Sequence, residues 1–444
     1  MLRILLAMAL AVASSASATT QQIDQVALVA RAQEVVARLV SGDVQPLLHT
    51  LTEKMQAAVD ANGLQRLIPS LVAQVGPFQS QIVARFESQG VMRVVLVSCE
   101  FERATVEIRV AFDPLDRLAG IGFLPPKPTV AYVAPPYVTV SAFRDEAITI
   151  DAGGWPLPGT LTLPIGEGPF PGVVLVHGSG PNDRDESIGP NKPFRDLAEG
   201  LASRGIAVLR YDKRTRTHAN RIGGLRDFTV RDEVIDDAVA AVRNLRETPS
   251  VRVDRVFLLG HSLGGMLAPR IAAAEPSIAG LILLAAATKP LEQAIVEQTR
   301  YLAMLDGKVS ADEETAIAAV TKLAADVRAL KASDPPIVST GISAPASYWL
   351  DLRGYDPPAA ARGLKQPMLV LQGERDYQVT MEDQAAWQRA IGSRANVQIT
   401  SYPALNHLFL AGSRPSAPAE YGQAGHVDEA VVRDIAAWIM RENR

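Results

Sequence analysis

The segment Gly260–Gly265, with the sequence GHSLGG, contains a Gly-x-Ser-x-Gly motif. The apolar run Val256–Leu259 precedes it, and a helix-like stretch, Met266–Ala274, follows it. A serine at such a strand-to-helix turn has a strained backbone and an exposed hydroxyl, and the glycines prevent collisions across the turn. The positive end of the following helix also favours a developing oxyanion. We therefore predict that Ser262 is a nucleophile rather than part of a purely structural turn.

A serine hydroxyl attacks well only when a base removes its proton, and the base needs an acid that fixes its tautomer and stabilises its charge. The loop after the apolar run Met368–Gln372 supplies two carboxylates, of which we predict Asp376 as the acid, with Glu374 as the alternative. The loop after the strand-like segment Val397–Tyr402 carries His407, which we predict as the base. The chain order serine, acid, histidine accompanies this type of turn.

The oxygen that becomes negative during attack requires two backbone N–H donors. Leu263, directly after the nucleophile, is the first candidate. The second donor is expected in the segment His177–Gly180, with the sequence HGSG, where glycines let the backbone approach a substrate closely. We predict Ser179 as this donor, with Gly178 as the alternative.

Strand-like and helix-like segments alternate over residues 140–444, which predicts an α/β fold with a doubly wound, mostly parallel sheet. The continuous apolar run Gly172–Val176 is typical of a parallel strand that is buried on both faces. Residues 288–360 interrupt the alternation with two helical stretches. We expect them to form a helical cap, inserted after the sixth strand.

Residues 24–127 predict a small α+β domain, because helical periodicity gives way to strand-like segments joined by short polar connections. Its predicted helices are Ile23–Val40, Leu47–Ala61 and Leu64–Val75. Residues 128–139 are rich in proline and predict an extended linker. Because the small domain has no cluster of reactive side chains, we expect it to have a supporting or partner-binding role.

Residues 1–18 predict a secretory signal peptide. Arg3 supplies the positive charge, and the apolar run Ile4–Ala13 is too short to span a bilayer. The motif Ala16–Ala18 predicts cleavage after Ala18, and hence export to the periplasm or the medium with no stable membrane anchor. An uncleaved membrane anchor is the alternative.

The overall composition, with a formal net charge of −4, lacks the basic surface expected of a nucleic-acid-binding protein. The single cysteine, Cys99, excludes an intramolecular disulfide and is predicted to be a buried structural thiol. The carboxylates Asp183, Asp185 and Glu186 lack the spacing, with a glycine and a distal glutamate, of a calcium loop, so we predict no metal site there. We expect these carboxylates to pair with basic side chains in the segment Arg210–Arg214.

From about residue 140 to its end the chain resembles the α/β-hydrolase superfamily, on the motifs around Ser262, Asp376, His407 and the HGSG segment. It is similar, more narrowly, to secreted esterases whose hydrolase core follows a small domain of unknown function. Three stretches carry this closer resemblance: His177–Asp185, Arg210–Arg214 and Tyr402–His407.

The resemblance implies a carboxylesterase that acts on small esters with short acyl chains and requires no metal or organic cofactor. Serine aminopeptidase-like hydrolases are also similar, so a peptidase or amidase with the same three residues is the alternative. A non-catalytic binding protein on this fold is a further alternative, which the complete set of serine, histidine and aspartate disfavours. The acyl length and the oligomeric state stay open.

Overall fold

The computed structural model describes residues 27–89, 92–124, 127–128, 132–222, 225–334, 337–339 and 342–441. Of these, the residues within Met1–Val130 and Val338–Ser343 form one compact unit, and those within Ala131–Ile337 and Ala344–Arg444 form a second. The expected signal peptide lies outside the described residues. No helix in the described part of the chain is long and apolar enough to cross a membrane.

The first unit consists of helices followed by an antiparallel sheet, as predicted for a small α+β domain. Its helices are α1 (27–41), α2 (Gln45–Leu48), α3 (Glu53–Ala58) and α4 (Ala61–Val75). Its strands are β1 (Phe78–Gln89), β2 (Met92–Phe101), β3 (Ala104–Phe112), β4 (Leu118–Phe123) and β5 (Lys127–Pro128). The first four strands pair in chain order, and β5 pairs with β3. Helix α4 buries Leu64, Ile68, Leu71 and Val75, whose spacing places them on one helical face in the core of this unit.

One predicted helix of this unit is wrong. The continuous helix expected over Leu47–Ala61 is two short helices, α2 and α3, because the chain forms a bridge between Leu51 and Leu118. Thr52 then starts a new helix, since its side chain accepts a hydrogen bond from the Met55 N–H, 3.3 Å away. The periodicity predicted helix correctly but did not reveal this tertiary interruption.

The second unit contains an eight-stranded sheet. The strands of this sheet are β6 (Phe143–Asp151), β7 (Pro156–Pro164), β8 (Phe170–Val176), β9 (Ala207–Tyr211), β10 (Val251–His261), β11 (Leu281–Leu284), β14 (Met368–Gly373) and β15 (Val397–Tyr402). Strands β12 (Ile337–Ser339) and β13 (Ile342–Ala344) form a separate two-stranded sheet, most of which belongs to the first unit. The sheet order is β15-β14-β11-β10-β8-β9-β7-β6, and every neighbouring pair from β9 to β15 is parallel. The predicted doubly wound, mostly parallel sheet is confirmed.

The helices of the second unit flank this sheet and contribute to its core. They are α5 (Pro193–Ala202), α6 (Arg214–Thr217), α7 (Ala219–Ile222), α8 (Asp236–Arg246), α9 (Leu263–Ala274), α10 (Leu291–Ala303), α11 (Ala311–Ala329), α12 (Ala346–Leu352), α13 (Pro357–Arg362), α14 (Met381–Ile391) and α15 (Glu429–Arg441). Two 3₁₀ helices and one π-helical turn add Val140–Ala142, Pro418–Gly422 and Arg231–Ile235. Helices α10 and α11 lie in the chain between β11 and β14, within the region expected to form a cap.

The topology explains how distant residues can share one site. Strands β8, β10, β14 and β15 run in the same direction, so their carboxyl ends lie along one edge of the sheet. The loops that follow them carry the HGSG segment, Ser262, Asp376 and His407 respectively. Ligand sites of open α/β sheets form at this edge.

Candidate active site

Ser262 occupies a strained turn between β10 and α9. Its φ of 52° and ψ of −114° are values that a residue with a side chain rarely adopts. Its N–H donates to the Leu284 carbonyl oxygen at 2.9 Å, which fixes the turn to the neighbouring strand. A Cβ atom on Gly260 would overlap the Gly264 backbone, and one on Gly264 would overlap the Val176 carbonyl oxygen. Both glycines of the motif are therefore required for the backbone to turn here.

The predicted acid and the predicted base are in direct contact. His407 Nδ1 lies 2.7 Å from Asp376 Oδ2, and both residues are buried. Asp376 Oδ1 accepts hydrogen bonds from the backbone N–H groups of Gln378 at 2.8 Å and Val379 at 3.0 Å. Because a carboxylate can only accept here, His407 carries its proton on Nδ1, which leaves Nε2 as the basic nitrogen.

His407 also lies beside the nucleophile turn. The centre of its ring is 4.7 Å from that of His261, the residue directly before Ser262. The His407 carbonyl oxygen accepts a hydrogen bond from His261 Nε2 at 2.9 Å. Among the described residues no hydrogen bond joins the Ser262 hydroxyl to His407, and such catalytic bonds commonly tighten only when substrate binds.

Glu374, the alternative acid, is placed differently. Its side chain is exposed, and its Oε1 accepts a hydrogen bond from the Ser401 hydroxyl at 2.7 Å. The carboxylate that contacts His407 is that of Asp376. The geometry thus favours Asp376 over Glu374.

The HGSG segment packs against Ser262, since a Cβ atom on Gly178 would lie 3.2 Å from Ser262 Cβ. The Gly178 N–H is already used, because it donates to Glu186 Oε1 at 2.6 Å. For the Ser179 N–H, by contrast, the described residues supply no acceptor. The N–H of Leu263, at the first position of α9, has no acceptor within the helix. Among the described residues, the N–H groups of Leu263 and Ser179 are therefore available as donors beside Ser262, and the alternative donor Gly178 is disfavoured.

A buried ion pair that sequence reasoning did not identify lies behind this segment. Glu186 Oε2 is 3.0 Å from His261 Nδ1, although the two groups are not well aligned for a hydrogen bond. Burial lowers the pKa of His261, but the facing Glu186 carboxylate outweighs this effect and the pKa is raised. Burial conversely raises the pKa of Glu186, and the His261 ring outweighs it, so that pKa is lowered. The sequence signal for this ion pair was a histidine within the GHSLGG motif and a glutamate directly after the stretch His177–Asp185.

Of the three carboxylates after the HGSG segment, only Asp185 pairs with a basic side chain of the segment Arg210–Arg214. Asp185 contacts Arg210 and also lies 3.1 Å from Lys192 Nζ. Asp183 instead accepts backbone hydrogen bonds from Asp185 and Ser187, at 3.1 and 2.9 Å. In the part of the chain that the structure describes, no group of three or more His, Cys, Asp or Glu side chains could hold a metal ion.

Helix α10 reaches the loop that carries the acid. Tyr301 stacks on Tyr377, with ring centres 5.0 Å apart and an angle of 4° between the ring planes. Gln298 Nε2 donates to the Gln378 carbonyl oxygen at 3.1 Å. Both tyrosines line a cleft of about 560 Å³ that also borders Asp376. The wall of this cleft is therefore formed jointly by the loop after β14 and by helix α10.

Two family descriptions match this chain. The family described as "Serine aminopeptidase, S33" matches residues 173–413, which include Ser262, Asp376 and His407. A second, described as "Protein of unknown function (DUF3887)", matches residues 32–121.

Two individual relatives are similar to this chain. Esterase EstD of Thermotoga maritima is 39% identical over 409 residues, which cover 91% of this chain and 94% of the relative. The 2,6-dihydropseudooxynicotine hydrolase of Paenarthrobacter nicotinovorans is 28% identical over 152 residues, or 34% of this chain and 36% of that protein.

Among solved structures, Est1E from Butyrivibrio proteoclasticus is 19% identical, covers 67% of this chain and 98% of its own, and has a TM-score of 0.43. An esterase from Pyrobaculum calidifontis is 18% identical, covers 68% and 86% respectively, and has a TM-score of 0.44. By the match over residues 173–413 and the full-length relative, the chain belongs to the serine aminopeptidase (S33) family of α/β-hydrolases.

Proposed function

We propose that this protein is a serine carboxylesterase that cleaves small esters through an acyl-enzyme intermediate. The observation that carries the proposal is the buried bond between Asp376 and His407 beside the strained turn of Ser262. The relative that spans nearly the whole chain is named an esterase, which supports an ester rather than an amide as substrate.

In the first half of the reaction, the Ser262 hydroxyl oxygen attacks the ester carbonyl carbon while His407 Nε2 takes the hydroxyl proton. The carbonyl π electrons move to oxygen, and the resulting oxyanion accepts hydrogen bonds from the Leu263 and Ser179 N–H groups. Asp376 stabilises the imidazolium that forms. The tetrahedral intermediate then collapses, the bond to the alcohol oxygen breaks, and His407 returns the proton to that oxygen.

In the second half, His407 removes a proton from water, and the hydroxide oxygen attacks the acyl carbon bound to Ser262. Collapse of this second tetrahedral intermediate releases the carboxylic acid and returns the proton to the Ser262 oxygen. His407 takes and returns the proton in both halves of the reaction, so the proposed mechanism needs no other proton carrier.

A peptidase or amidase remains the second candidate, because the matching family is described as a serine aminopeptidase. An amide nitrogen is a poorer leaving group than an ester oxygen, so amide cleavage depends more strongly on protonation by His407. Parallel assays with p-nitrophenyl acyl esters of increasing length and with aminoacyl p-nitroanilides separate the two activities and define the preferred acyl group.

The decisive test compares Ser262→Ala with Ser179→Ala. The first variant lacks the nucleophile, whereas the second keeps the backbone N–H of the exposed Ser179 and serves as the matched control. We expect wild type and Ser179→Ala to hydrolyse esters and to be labelled by a fluorophosphonate probe, and Ser262→Ala to do neither. Ester hydrolysis by Ser262→Ala at the wild-type rate would refute the mechanism.

We also propose that the protein is exported, on the charged and apolar pattern of residues 1–18. The expected mature N-terminus is Thr19. N-terminal sequencing of protein from the periplasm or the medium checks this expectation, and a cytoplasmic protein that keeps Arg3 would contradict it.

A further inference from the structure

The peptide group between Gly178 and Ser179 contacts a buried positive charge. Lys213 Nζ donates to the Gly178 carbonyl oxygen at 2.8 Å, and Lys213 is only 2% exposed. The side-chain amide of Asn182 donates to the same oxygen at 3.2 Å. A lysine ammonium is rarely buried unless it is paired, so its use at this backbone oxygen requires an explanation.

The geometry of a peptide group links this contact to the oxyanion. The Gly178 carbonyl and the Ser179 N–H belong to one planar, trans peptide unit, so the C=O and N–H bonds point in opposite directions. Holding the oxygen from one side therefore aims the N–H toward the other side. A charged donor on the oxygen also polarises the unit, which strengthens the hydrogen bond that the N–H can donate.

Lys213 is itself held in place by buried partners. Its Nζ lies 2.7 Å from Glu233 Oε1, and the other carboxylate oxygen of Glu233 accepts a hydrogen bond from the Tyr348 hydroxyl at 2.6 Å. Glu233 and Tyr348 are also buried. The ammonium group therefore has a neutralising partner and a fixed position.

The other side of Gly178 is held by a buried charge of opposite sign. The Gly178 N–H donates to Glu186, whose carboxylate also faces His261. A cation thus fixes the peptide unit after the Gly178 Cα, and an anion fixes the unit before it. Ser179 presents the next N–H, the one left free beside Ser262.

We propose that Lys213 is a positioning residue of the oxyanion hole, which orients and polarises the Gly178–Ser179 peptide so that the Ser179 N–H binds the tetrahedral oxyanion. This inference rests on the proposed esterase function and adds to it a charge that never touches the substrate. Its effect belongs to the transition state, because the ground-state ester oxygen carries little negative charge.

The test compares Lys213→Met with Lys213→Arg and with Lys322→Met. Methionine keeps most of the volume but neither the charge nor the donor, and arginine keeps both. Lys322 pairs with Asp326 on the surface of α11 and provides the same substitution as a control. The readouts are kcat and KM for p-nitrophenyl acetate, and the inhibition constant of an alkyl trifluoromethyl ketone, which adds to the serine as a tetrahedral oxyanion.

We expect Lys213→Met to lower kcat about 10²-fold, comparable with losing one oxyanion donor, with KM near the wild-type value. Affinity for the ketone should fall by a similar factor. Lys213→Arg should recover part of both losses, and Lys322→Met should change neither. A purely structural role would not weaken ketone binding while leaving KM unchanged.

A second variant guards against misfolding, because Lys213→Met leaves Glu233 buried without its cation. In Lys213→Met/Glu233→Gln both charges are absent, and the glutamine oxygen can still accept from the Tyr348 hydroxyl. Unchanged kcat and ketone affinity in either folded variant would overturn the proposal, and failure of both variants to fold would assign Lys213 a structural role instead. Failure of the esterase mechanism would be seen separately, as activity that survives Ser262→Ala.

Discussion

The core of the first unit is apolar, whereas the second unit buries charged side chains near the carboxyl ends of its strands. Among the described residues of the first unit, the only buried polar side chain besides the Cys99 thiol is that of Ser98. Among the described residues, its ion pairs, such as Arg38 with Glu34, each include at least one exposed side chain. In the second unit the buried charged or titratable side chains include His177, Glu186, Lys213, Arg214, Glu233, Asp237, His261, Asp376 and His407.

This difference shows where the second unit contains buried charges that fix the positions of side chains at a cost to the free energy of unfolding. Removing a charge from water costs several kcal/mol, and an ion pair often returns no more than this cost. An apolar core, by contrast, stabilises a fold without this desolvation cost. Buried charges concentrated around Gly178, Ser262 and His407 are therefore better explained by the positions they impose than by a contribution to stability.

The largest effect is expected where a buried charge acts on the reacting groups. Asp376→Asn keeps the size of the side chain but removes the charge that stabilises the His407 imidazolium, and it favours the wrong imidazole tautomer. We expect kcat for p-nitrophenyl acetate to fall by about 10⁴-fold, with the fold retained.

Glu374→Gln is the matched control, because Glu374 lies two residues earlier and is exposed. Its kcat should stay close to that of the wild type. Equal losses in the two variants would remove the distinction between the buried acid and the solvent-exposed carboxylate.

The next largest effect is expected on the free energy of unfolding, at a buried ion pair that takes no part in the proposed reaction. Arg214 Nε lies 3.0 and 3.1 Å from the two carboxylate oxygens of Asp237, and both side chains are buried. Asp237→Asn leaves the guanidinium without an anion, so we expect the free energy of unfolding in urea to fall by about 3–5 kcal/mol.

The double variant Arg214→Met/Asp237→Leu removes both charges and should recover most of this loss. Glu34→Gln, at an exposed pair of the first unit, should leave the unfolding transition unchanged. A large effect in Glu34→Gln, or none in Asp237→Asn, would show that burial does not set the value of ion pairs in this chain.

A smaller effect depends on pH. His177 lies between Phe194 and Tyr211, and burial lowers its pKa from 6.5 to about 4. The unfolded chain therefore binds a proton between pH 6.5 and 4 that the folded chain does not bind. The stabilising contribution is complete above pH 6.5 and is lost as the pH falls, by about 3 kcal/mol at pH 4.

Urea unfolding of wild type and His177→Phe at pH 7 and pH 4.5 measures this contribution, because phenylalanine cannot take up the proton. The wild type should lose more stability than the variant between the two pH values. The raised pKa of His261 gives the free energy of unfolding the opposite pH dependence, because its stabilising contribution is present below pH 6.5 and is lost at higher pH. Identical pH dependence of the two proteins would contradict the assignment to His177.

The fold and the meeting of the proposed reacting side chains could be predicted from sequence for a shared physical reason. Buried parallel strands give continuous apolar runs, and the residue that follows each run lies at the same edge of the sheet. Ser262 and Asp376 each follow such a run, His407 follows the strand-like segment Val397–Tyr402, and the structure brings the three loops together. The turn around Ser262 can also be recognised in the sequence, because overlap across the turn excludes larger residues at Gly260 and Gly264.

The supporting charges could not be predicted in the same way. Lys213 follows β9, and its ammonium reaches the loop after β8 only because these strands are neighbours in the sheet. Glu186 reaches Gly178 from a turn with a φ of 51°, which its residue type does not indicate. Such contacts depend on tertiary packing, as does the break between α2 and α3.

The smallest effect is expected at Cys99, in the apolar core of the first unit. Burial raises the pKa of its thiol to about 12, so the group stays protonated and unreactive at pH 8. Iodoacetamide should therefore alkylate the protein only after unfolding in guanidinium. Cys99→Ala should lower the free energy of unfolding by about 1 kcal/mol, through lost apolar contact, and leave kcat unchanged. Rapid alkylation of the native protein would show that the thiol is accessible, and a fall in kcat would show that this core does more than stabilise its own unit.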